Sequence, residues 1–238
     1  KNSQLAGILG VSEETIRRSI KSLSKAGAVA RVHGGAYLVG TQSDPSYFRR
    51  IAENSEQKRL VARELSQSIV DGMTLFLDVG STTAFVAEEL RQKSNLTIAT
   101  NSIRVAQSLV GQSGCRVFLL GGEMQADELG AFGHVCERQA RRFCFDVAVL
   151  SADALNSKSG FLYLNPAEAS LAAVVSECAE TTKVAMTHHK FETKAPHWGF
   201  SPSIVETLFV DQKPPPKLSS TLKQWDVKVQ LAHGKKSK

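Results

Sequence analysis

From residue 74 onward, short apolar segments alternate with amphipathic ones, and this alternation restricts the possible folds more than any other feature of the sequence. Strands that are separated by helices pair in parallel, because each helix returns the chain to the edge at which the previous strand began. Strands are predicted at residues 74–78, 96–100, 116–120, 146–151, 183–187 and 207–210. Helices are predicted at residues 56–70, 83–91, 103–109 and 167–180. The sequence therefore predicts an α/β fold with a mostly parallel sheet.

The first 40 residues have a different pattern. Apolar side chains recur at helical spacing in residues 2–9 and again in residues 12–24, on either side of a turn at Gly10. Alternating segments around residues 33–35 then predict a β-hairpin. Two short helices followed by a hairpin are typical of a winged helix-turn-helix, whose second helix lies in the DNA major groove. Because the sequence begins as though inside a helix, we expect the first helix of this domain to be missing.

Basic residues are concentrated at the same end of the chain. The whole sequence has a net charge of +6, and residues 1–40 contribute +4 of it from six basic and two acidic side chains. Positive charge on a helix-turn-helix attracts DNA phosphates, so we expect a double-stranded DNA operator as a partner. A solvated helix face is the alternative explanation of an arginine pair taken alone. The candidate DNA-contacting residues are Ser12, Thr15, Arg17, Arg18, Lys21, Arg31 and His33.

Residues 41–55 are predicted to link a DNA-binding domain at residues 1–40 to a larger domain at residues 56–238, since residues 40–44 are polar and Pro45 follows. No stretch approaches the roughly 18 uncharged residues of a membrane span, so no membrane partner is expected. The four cysteines form no C-x-x-C pair, which argues against a zinc site and for free thiols in a reducing cytoplasm. No metal and no cofactor are predicted.

Small polar residues follow three of the predicted strands. Ligands of open α/β sheets bind beyond the carboxyl ends of the strands, so these positions are candidates for a binding site. Residues 78–83 place a glycine and three hydroxyls at the start of a helix, where free N–H groups and the helix dipole favour a phosphate. Residues 100–102 and 121–123 follow the next two strands. Taken singly, the three segments are a helix cap, a turn and a tight corner. Together they favour a small phosphorylated ligand.

Two segments near the N-terminus resemble the DeoR family of bacterial transcription regulators. They are LGVSEETIRR at residues 9–18 and RVHGGA at residues 31–36. The family usually has an acidic residue where Ser19 stands. The rest of the chain resembles the sensor domain of the same family over nearly its whole length. The matching segments are Leu77-Asp78-x-Gly80-Ser81-Thr82-Thr83, TNS at residues 100–102, Gly121-Gly122, Gly160-Phe161, Glu168-Ala169 and Lys190-Phe191.

The resemblance implies a sensor fold similar to ribose-5-phosphate isomerase, and a sugar phosphate or sugar-alcohol phosphate as effector. We expect a homo-oligomer, a dimer or a tetramer, that represses carbohydrate-metabolism genes until the effector binds. By position, Gly80, Ser81, Thr82 and Thr83 would hold the phosphate. The residues near the hydroxyls or the charge of the ligand would be Asp78, Asn101, Gly122, Glu168 and Lys190.

Three positions depart from the family pattern. Serine is usual where Val79 stands, a basic residue where Leu171 stands, and aspartate where Thr187 stands. His188 and His189 are candidates to replace some of the lost polarity, or they are ordinary surface or core histidines. The departures change the charge that the pocket presents and therefore bear on the choice of ligand.

Two other functions are open on the sequence alone. A sugar-phosphate isomerase or deaminase shares this fold class, and Asp78, Asp153, Glu168 and Lys190 are its candidate acid and base groups. The glycine-rich lysine loop of such isomerases is absent, and the N-terminal module would have no role in an enzyme, so we expect no enzymatic activity. The departures from the family pattern also allow a DNA-binding factor that responds to no ligand.

Overall fold

A computed structural model of the chain describes residues 2–25, 29–32, 35–38 and 46–233. The chain divides into two compact units, residues 1–49 and residues 50–238. The first unit contains α1 (Asn2–Leu9), α2 (Glu13–Lys25), β1 (Val29–Val32) and β2 (Gly35–Leu38).

The first unit is a helix-turn-helix followed by an antiparallel hairpin, as the sequence predicts. Ser12 caps α2, because its Oγ accepts a hydrogen bond from the Thr15 N–H at 3.2 Å. Ala6 on α1 and Ile16 and Ile20 on α2 form a small apolar core. The β1 and β2 strands pair in antiparallel register. Ile16 and Ile20 are the buried residues of this face of α2, and its charged residues Arg17, Arg18 and Lys21 are exposed.

The second unit is larger, and α3 begins in the first unit and ends in the second. This helix lies within the stretch that the sequence predicts to be a linker. The elements that follow the hairpin are, in order, α3 (Ser46–Ala52), α4 (Ser55–Gln67), β3 (Thr74–Leu77), α5 (Ser81–Leu90), β4 (Thr97–Thr100), α6 (Ile103–Leu109), β5 (Arg116–Leu119), β6 (Glu123–Gln125), β7 (Gly130–Phe132), α7 (His134–Ala140), β8 (Phe145–Leu150), β9 (Ala154–Asn156), β10 (Gly160–Tyr163), α8 (Pro166–Glu177), β11 (Ala179–Ala185), β12 (His197–Trp198), β13 (Val205–Val210), α9 (Pro216–Gln224) and β14 (Lys228–Leu231).

Seven strands form one sheet in the order β14-β13-β11-β8-β3-β4-β5. All neighbouring strands in this sheet are parallel, which confirms the predicted α/β class. From β3 the chain adds β4 and β5 on one side, and then β8, β11, β13 and β14 on the other. The direction of the connections therefore reverses between β3 and β8.

Alternate side chains of the strands enter two apolar cores. In β3, Leu75 and Leu77 belong to one core and Phe76 to the other. Helices α4, α5 and α6 contribute to the first core, and α7, α8 and α9 to the second. Because helices cover both faces, the central strands are apolar at nearly every position, as parallel strands usually are.

The sequence prediction did not include the short antiparallel elements. The β6 and β7 strands form a hairpin after β5, and β9, β10 and β12 form a small separate sheet. These strands are too short for an alternating pattern to be visible. Several boundaries also differ. The α5 helix begins at Ser81 rather than at residue 83, and β11 at Ala179 rather than at residue 183, while α4 ends at Gln67 rather than at residue 70 and α8 at Glu177 rather than at residue 180.

All four cysteines are free thiols. Within the described part of the chain, no group of three or more histidine, cysteine, aspartate or glutamate side chains is placed to hold a metal ion. No helix among the described residues is both long enough and apolar enough to cross a membrane.

Gly122 fixes the base of the β6–β7 hairpin. Its φ is +152°, and a Cβ there would lie 2.3 Å from the Phe132 carbonyl oxygen, a backbone atom. We expect Gly122→Ala to lower the free energy of unfolding by about 1–3 kcal/mol more than Gly111→Ala, since this is the usual cost of overpacking. Gly111 is the matched control, because its φ is also positive, at +79°, but a Cβ there would meet nothing within 4 Å. Urea denaturation measures both losses, and equal losses would contradict the prediction.

Candidate functional site

The candidate site lies where the connections of the sheet reverse. Open α/β sheets bind ligands at such a point, beyond the carboxyl ends of the strands. Asp78 follows β3, and residues 151–153 follow β8. The two strand ends are joined directly, because the Asp78 N–H donates to the Val149 carbonyl oxygen at 3.1 Å.

Asp78 is a buried carboxyl group, with 4% of the residue exposed. Its Oδ1 accepts a hydrogen bond from the Val79 N–H at 2.8 Å, and the backbone of Ser151 donates a second. Burial raises the pKa of Asp78 to about 8 against the effect of these hydrogen bonds, and the carboxylates of Asp153 and Glu128 raise it further. Asp78 is therefore largely protonated at neutral pH and can donate a hydrogen bond as well as accept one.

Gly80 caps the N-terminus of α5, and residues 81–83 form the first turn of this helix. Gly80 has a φ of +155°, and a Cβ there would lie 2.8 Å from Ser151 Oγ, so the turn packs against the end of β8. Thr83 Oγ1 donates to the Gly80 carbonyl oxygen at 3.0 Å. Ser81, Thr82 and Thr83 are all buried, and Thr82 is only 2% exposed. The turn has the predicted position at the N-terminus of α5, and neighbouring segments enclose its hydroxyls.

Asn101, which follows β4, ties this turn to the β6–β7 hairpin. Its Oδ1 accepts from the Val79 N–H at 3.0 Å, and its Nδ2 donates to the Ala131 carbonyl oxygen at 3.2 Å. The Ala131 N–H donates back to the Asn101 carbonyl oxygen at 2.8 Å. Gly130 lies so close to Val79 that a Cβ on Gly130 would be 2.9 Å from Val79 Cγ2. The hairpin thus covers the end of β3, and Val79 is part of that contact.

Charged side chains of both signs interact electrostatically, directly or through one another, at the ends of β3 and β8. We call this set the charge cluster. Its members are Arg50, Lys58, Asp78, Glu128, Asp153, Glu168 and Lys190.

Glu168 lies in the first turn of α8. Burial raises its pKa to about 10, and the carboxylates of Glu128, Asp153 and Asp78 act in the same direction. Glu168 also hydrogen-bonds with Glu128. A protonated Glu168 is therefore the donor in this carboxyl–carboxylate pair.

Lys190 lies in the short 3-10 helix that follows β11. Its Nζ donates to the Ala152 carbonyl oxygen at 2.5 Å. Burial lowers the pKa of Lys190, while Asp153 opposes this shift. Lys190 thereby connects the carboxyl end of β11 to that of β8.

Arg50, Lys58 and Glu128 belong to the site although the sequence analysis did not select them. Arg50 forms a two-pronged ion pair with Glu128, with Nη1 3.2 Å from Oε1 and Nη2 in contact with Oε2. Lys58 is 5% exposed, and its Nζ donates to the Arg50 carbonyl oxygen. The signal for Lys58 was present, because it shares the buried face of α4 with Val61 and Leu65 at helical spacing. Glu128 gave no such signal, since it lies in a turn.

Burial lowers the pKa of Lys58 to about 8, the cations Lys190 and Arg50 lower it further, and Glu53 acts in the opposite direction. Three cations therefore lie within electrostatic reach of one another at this site. Like charges so close together are unfavourable unless anions are also present.

The positions that depart from the family pattern are mostly apolar or internally paired here. Leu171 is part of the apolar core under α8, and Thr187 is buried at the end of β11. His188 is paired with Asp211, since its Nδ1 lies 2.6 Å from Asp211 Oδ2. The ring of His189 contacts that of His188, with 3.8 Å between the centroids.

Gly122, another residue that the sequence assigns to the effector, lies at the base of the β6–β7 hairpin, next to the Phe132 backbone.

The candidate DNA-contacting face of α2 is open to solvent. The side chains of Arg17 and Arg18 are 64% and 81% exposed. Arg17 lies 4.0 Å from both Glu13 and Glu14, and Arg18 Nε lies 3.3 Å from Glu14 Oε1. Exposed pairs of this kind contribute about 0–1 kcal/mol, so DNA phosphates can replace the glutamates at little cost.

The other candidates for DNA contact lie on the same helix or on the hairpin. Ser12 and Thr15 are exposed at the N-terminus of α2, with their hydroxyl oxygens 2.9 Å apart. Lys21 is exposed further along the same helix. Arg31 is on β1, and the predicted contact at His33 lies outside the described residues.

Residues 53–212 match the DeoR C terminal sensor domain, and residues 3–42 match the DeoR-like helix-turn-helix domain. The chain is 29% identical over 228 residues to the glycerol-3-phosphate regulon repressor of Escherichia coli, across 96% of this chain and 90% of that protein. It is 31% identical over 184 residues to the transcriptional repressor AccR of Agrobacterium fabrum, across 76% and 71%. Among solved structures, ribose 5-phosphate isomerase A from Methanocaldococcus jannaschii has a TM-score of 0.43 and 19% identity, covering 58% of this chain and 55% of that one.

The raised pKa of Asp78 predicts a pH-dependent stability. Between its ordinary value of 3.8 and the folded value of about 8, the folded protein binds more protons at this side chain than the unfolded chain does. Its contribution to stability therefore falls as pH rises through that window. We expect Asp78→Asn, which cannot titrate, to gain stability relative to the wild type between about pH 5 and about pH 8, by at most about 1.4 kcal/mol per pH unit. Urea denaturation across this range tests the prediction, and parallel stability profiles would refute it.

Proposed function

Because this chain belongs to the DeoR family of transcriptional regulators, we propose that it represses carbohydrate-metabolism genes by binding operator DNA under the control of a phosphorylated sugar or polyol. The observation that carries the proposal is the pairing of two features in one chain. An exposed basic helix lies in a helix-turn-helix, and a buried polar site lies at the reversal point of a parallel sheet. The first is suited to DNA phosphates, and the second to a small polar ligand.

In this proposal residues 1–40 read the operator, residues 41–55 connect, and residues 56–238 bind the effector. The N-terminal end of α2 faces base edges in the major groove, as in other helix-turn-helix proteins. Arg17, Arg18 and Lys21 supply charge to the phosphates, and Ser12 and Thr15 supply hydroxyls. The hairpin adds Arg31 and His33.

The effector is a small phosphate ester, for which the N-terminus of α5 is the proposed phosphate site. Free N–H groups and the helix dipole favour an anion there, and Gly80 permits a close approach of backbone. Asp78, Asn101, Glu168 and Lys190 offer donors and acceptors to hydroxyl groups. A polyol phosphate is a reasonable first probe, because a relative of similar length is named a glycerol-3-phosphate regulon repressor.

A homo-oligomer, either a dimer or a tetramer, follows from the way such domains read DNA. One helix-turn-helix contacts a half-site, and paired half-sites require paired domains. A bacterial repressor of this kind acts in the cytoplasm, where its DNA is.

We propose that the site binds without catalysing a reaction. The groups that would act as acid and base in an isomerase already hold the backbone in place. Lys190 Nζ donates to Ala152, and Asp153 Oδ2 accepts from the Leu164 N–H at 2.9 Å. Incubation with ribose 5-phosphate, with the product followed by spectroscopy, tests this, and turnover would favour the enzyme.

Removing either arginine of α2 should weaken operator binding. The operator is first selected from a random double-stranded library, and affinity is then measured by fluorescence anisotropy between about 50 and about 200 mM salt. We expect Arg17→Ala or Arg18→Ala to reduce the salt slope by about 1, with a loss of about 1–3 kcal/mol if a guanine contact is also lost. Arg141→Ala is the matched control, since Arg141 is an exposed, glutamate-paired arginine directly after α7. Unchanged affinity and slope in the α2 variants would exclude the assignment.

A phosphorylated effector should raise the melting temperature and lower operator affinity. A ligand that binds only the folded state stabilises it by about 2.7 kcal/mol at a hundredfold excess over its dissociation constant. We expect this from glycerol 3-phosphate or another sugar or polyol phosphate in a thermal-shift panel, and not from glycerol. A panel in which no phosphate ester shifts the melting temperature would exclude this class of effector.

A further inference from the structure

The ion pair between Arg50 and Glu128 joins two segments that are distant in sequence. Arg50 lies on α3, and Glu128 lies in the turn between β6 and β7. The side chains are 28% and 14% exposed, so the pair is largely shielded from water. A two-pronged guanidinium–carboxylate contact in such surroundings holds the hairpin turn to α3.

Glu128 satisfies only part of the hydrogen-bonding capacity of Arg50. Its two oxygens contact Nη1 and Nη2. Arg50 Nε is buried and has no hydrogen-bond partner among the residues that the structure describes. A carboxylate has two oxygens, whereas a phosphate ester has three terminal oxygens and more charge. Arg50 is therefore matched better by a phosphate than by its present partner.

Lys58 adds a second cation to the same place. Its Nζ donates to the Arg50 carbonyl oxygen, which brings the ammonium group next to the backbone of α3. An ammonium group has three donors, and this bond uses one of them. Lys190 and Arg50 are close enough to lower the pKa of Lys58, so the region is crowded with positive charge. Such a grouping favours an anion with several acceptor oxygens.

The hairpin that carries Glu128 also covers the proposed effector site. Its β7 strand is hydrogen-bonded to Asn101 through Ala131, and the Ile103 N–H donates to the Leu129 carbonyl oxygen at 3.1 Å. Glu128 is near enough to Asp78 and Glu168 to raise the pKa of both. A ligand that enters between these groups therefore meets Glu128 as well as Arg50.

We propose that Glu128 acts as an internal anion at Arg50 and Lys58, and that the phosphate of the effector displaces it and binds these two cations in place of the N-terminus of α5, where Thr82 is only 2% exposed. The inference rests on the proposed function for the existence of such an effector, and it names the residues that exchange when the effector binds. Displacement frees the tip of the β6–β7 hairpin from α3. The exchange therefore removes a contact between the hairpin and α3. The division between the two compact units falls within α3, so this helix is the segment through which the chain leads to the DNA-binding domain.

Removing the charge of Glu128 tests the exchange. Calorimetry is performed on the full chain with glycerol 3-phosphate and, separately, with inorganic phosphate. We expect Glu128→Gln to bind both at least about tenfold more tightly than the wild type, because no carboxylate has to leave Arg50. Arg50→Met should bind at least about tenfold more weakly, and Glu128→Gln should have no further effect in that background.

Glu123→Gln is the matched control, because Glu123 is an exposed carboxylate on the same hairpin. Glu123→Gln removes the same charge at a site that does not contact Arg50. If it gave an equal gain in affinity, the gain of Glu128→Gln would come from the overall charge of the protein, and the proposal would be overturned. If Arg50→Met does not fold, Arg50→Lys replaces it, since lysine keeps the charge but cannot make the two-pronged contact. Tighter binding by Glu128→Gln that persists in the arginine variant would also overturn the proposal.

Hydrogen exchange provides a second measurement that does not depend on the variants. The Glu128 and Leu129 N–H groups both donate to the Gln125 carbonyl oxygen at the hairpin tip. Saturation with the phosphate ester should speed their exchange, and slower exchange would show that the hairpin closes and overturn the displacement.

The outcomes also separate the inference from the proposed function. If phosphate esters bind no variant but inorganic phosphate binds Glu128→Gln through Arg50, the effector class is wrong and the anion site stands. If esters bind the wild type and Glu128→Gln equally, the effector stands and the internal anion is wrong. If neither anion binds any variant, both are wrong.

Discussion

The fold of the larger unit depends on the way in which the buried end of β3 is held against β8. Asp78 is the residue at which this happens, because its backbone N–H bonds to Val149 and its carboxyl group accepts hydrogen bonds from Val79 and Ser151. A carboxyl group so deeply buried is tolerated because it is largely protonated and its oxygens are satisfied. The same contacts bring the turn into α5, the loop after β8 and Asn101 to one point. The candidate site thus results from the pairing of β3 with β8 in the sheet.

Around this point, burial and the charges of the cluster together set the protonation of its members. Burial raises the pKa of Asp78 and of Glu168, and the carboxylates of Glu128 and Asp153 raise it further. Burial lowers the pKa of Lys58, and Lys190 and Arg50 lower it further. A buried cluster of this kind is a costly arrangement, because desolvation of several ions is repaid only when each has good partners. Arg50 Nε has no partner within the described part of the chain. A set of charges that is nearly but not fully satisfied is well suited to respond to one more anion.

Arginine–glutamate ion pairs have different roles in the two units. On α2 the pairs of Arg17 and Arg18 with glutamates are exposed, and water and salt keep them weak. The arginines are therefore available to DNA. Between Arg50 and Glu128 the same pair of residue types is shielded, so the contact is strong enough to position a hairpin. Solvent exposure, and not residue identity, decides which role each pair has.

The sequence by itself determined the helix-turn-helix, the alternation of helices and strands that forms most of the parallel sheet, and the polar strand ends at Asp78 and Asn101. These follow from periodicity and from residues adjacent in the chain, which local patterns record directly. Only the tertiary structure decided that Lys58, Arg50 and Glu128 lie beside those strand ends. Their proximity arises from the packing of α3 and α4 and of the β6–β7 hairpin. It also decided that His188 pairs with Asp211, which is a neighbour only across the ends of two strands. Contacts between distant segments depend on how the whole chain packs around the sheet, and no local sequence pattern records that packing.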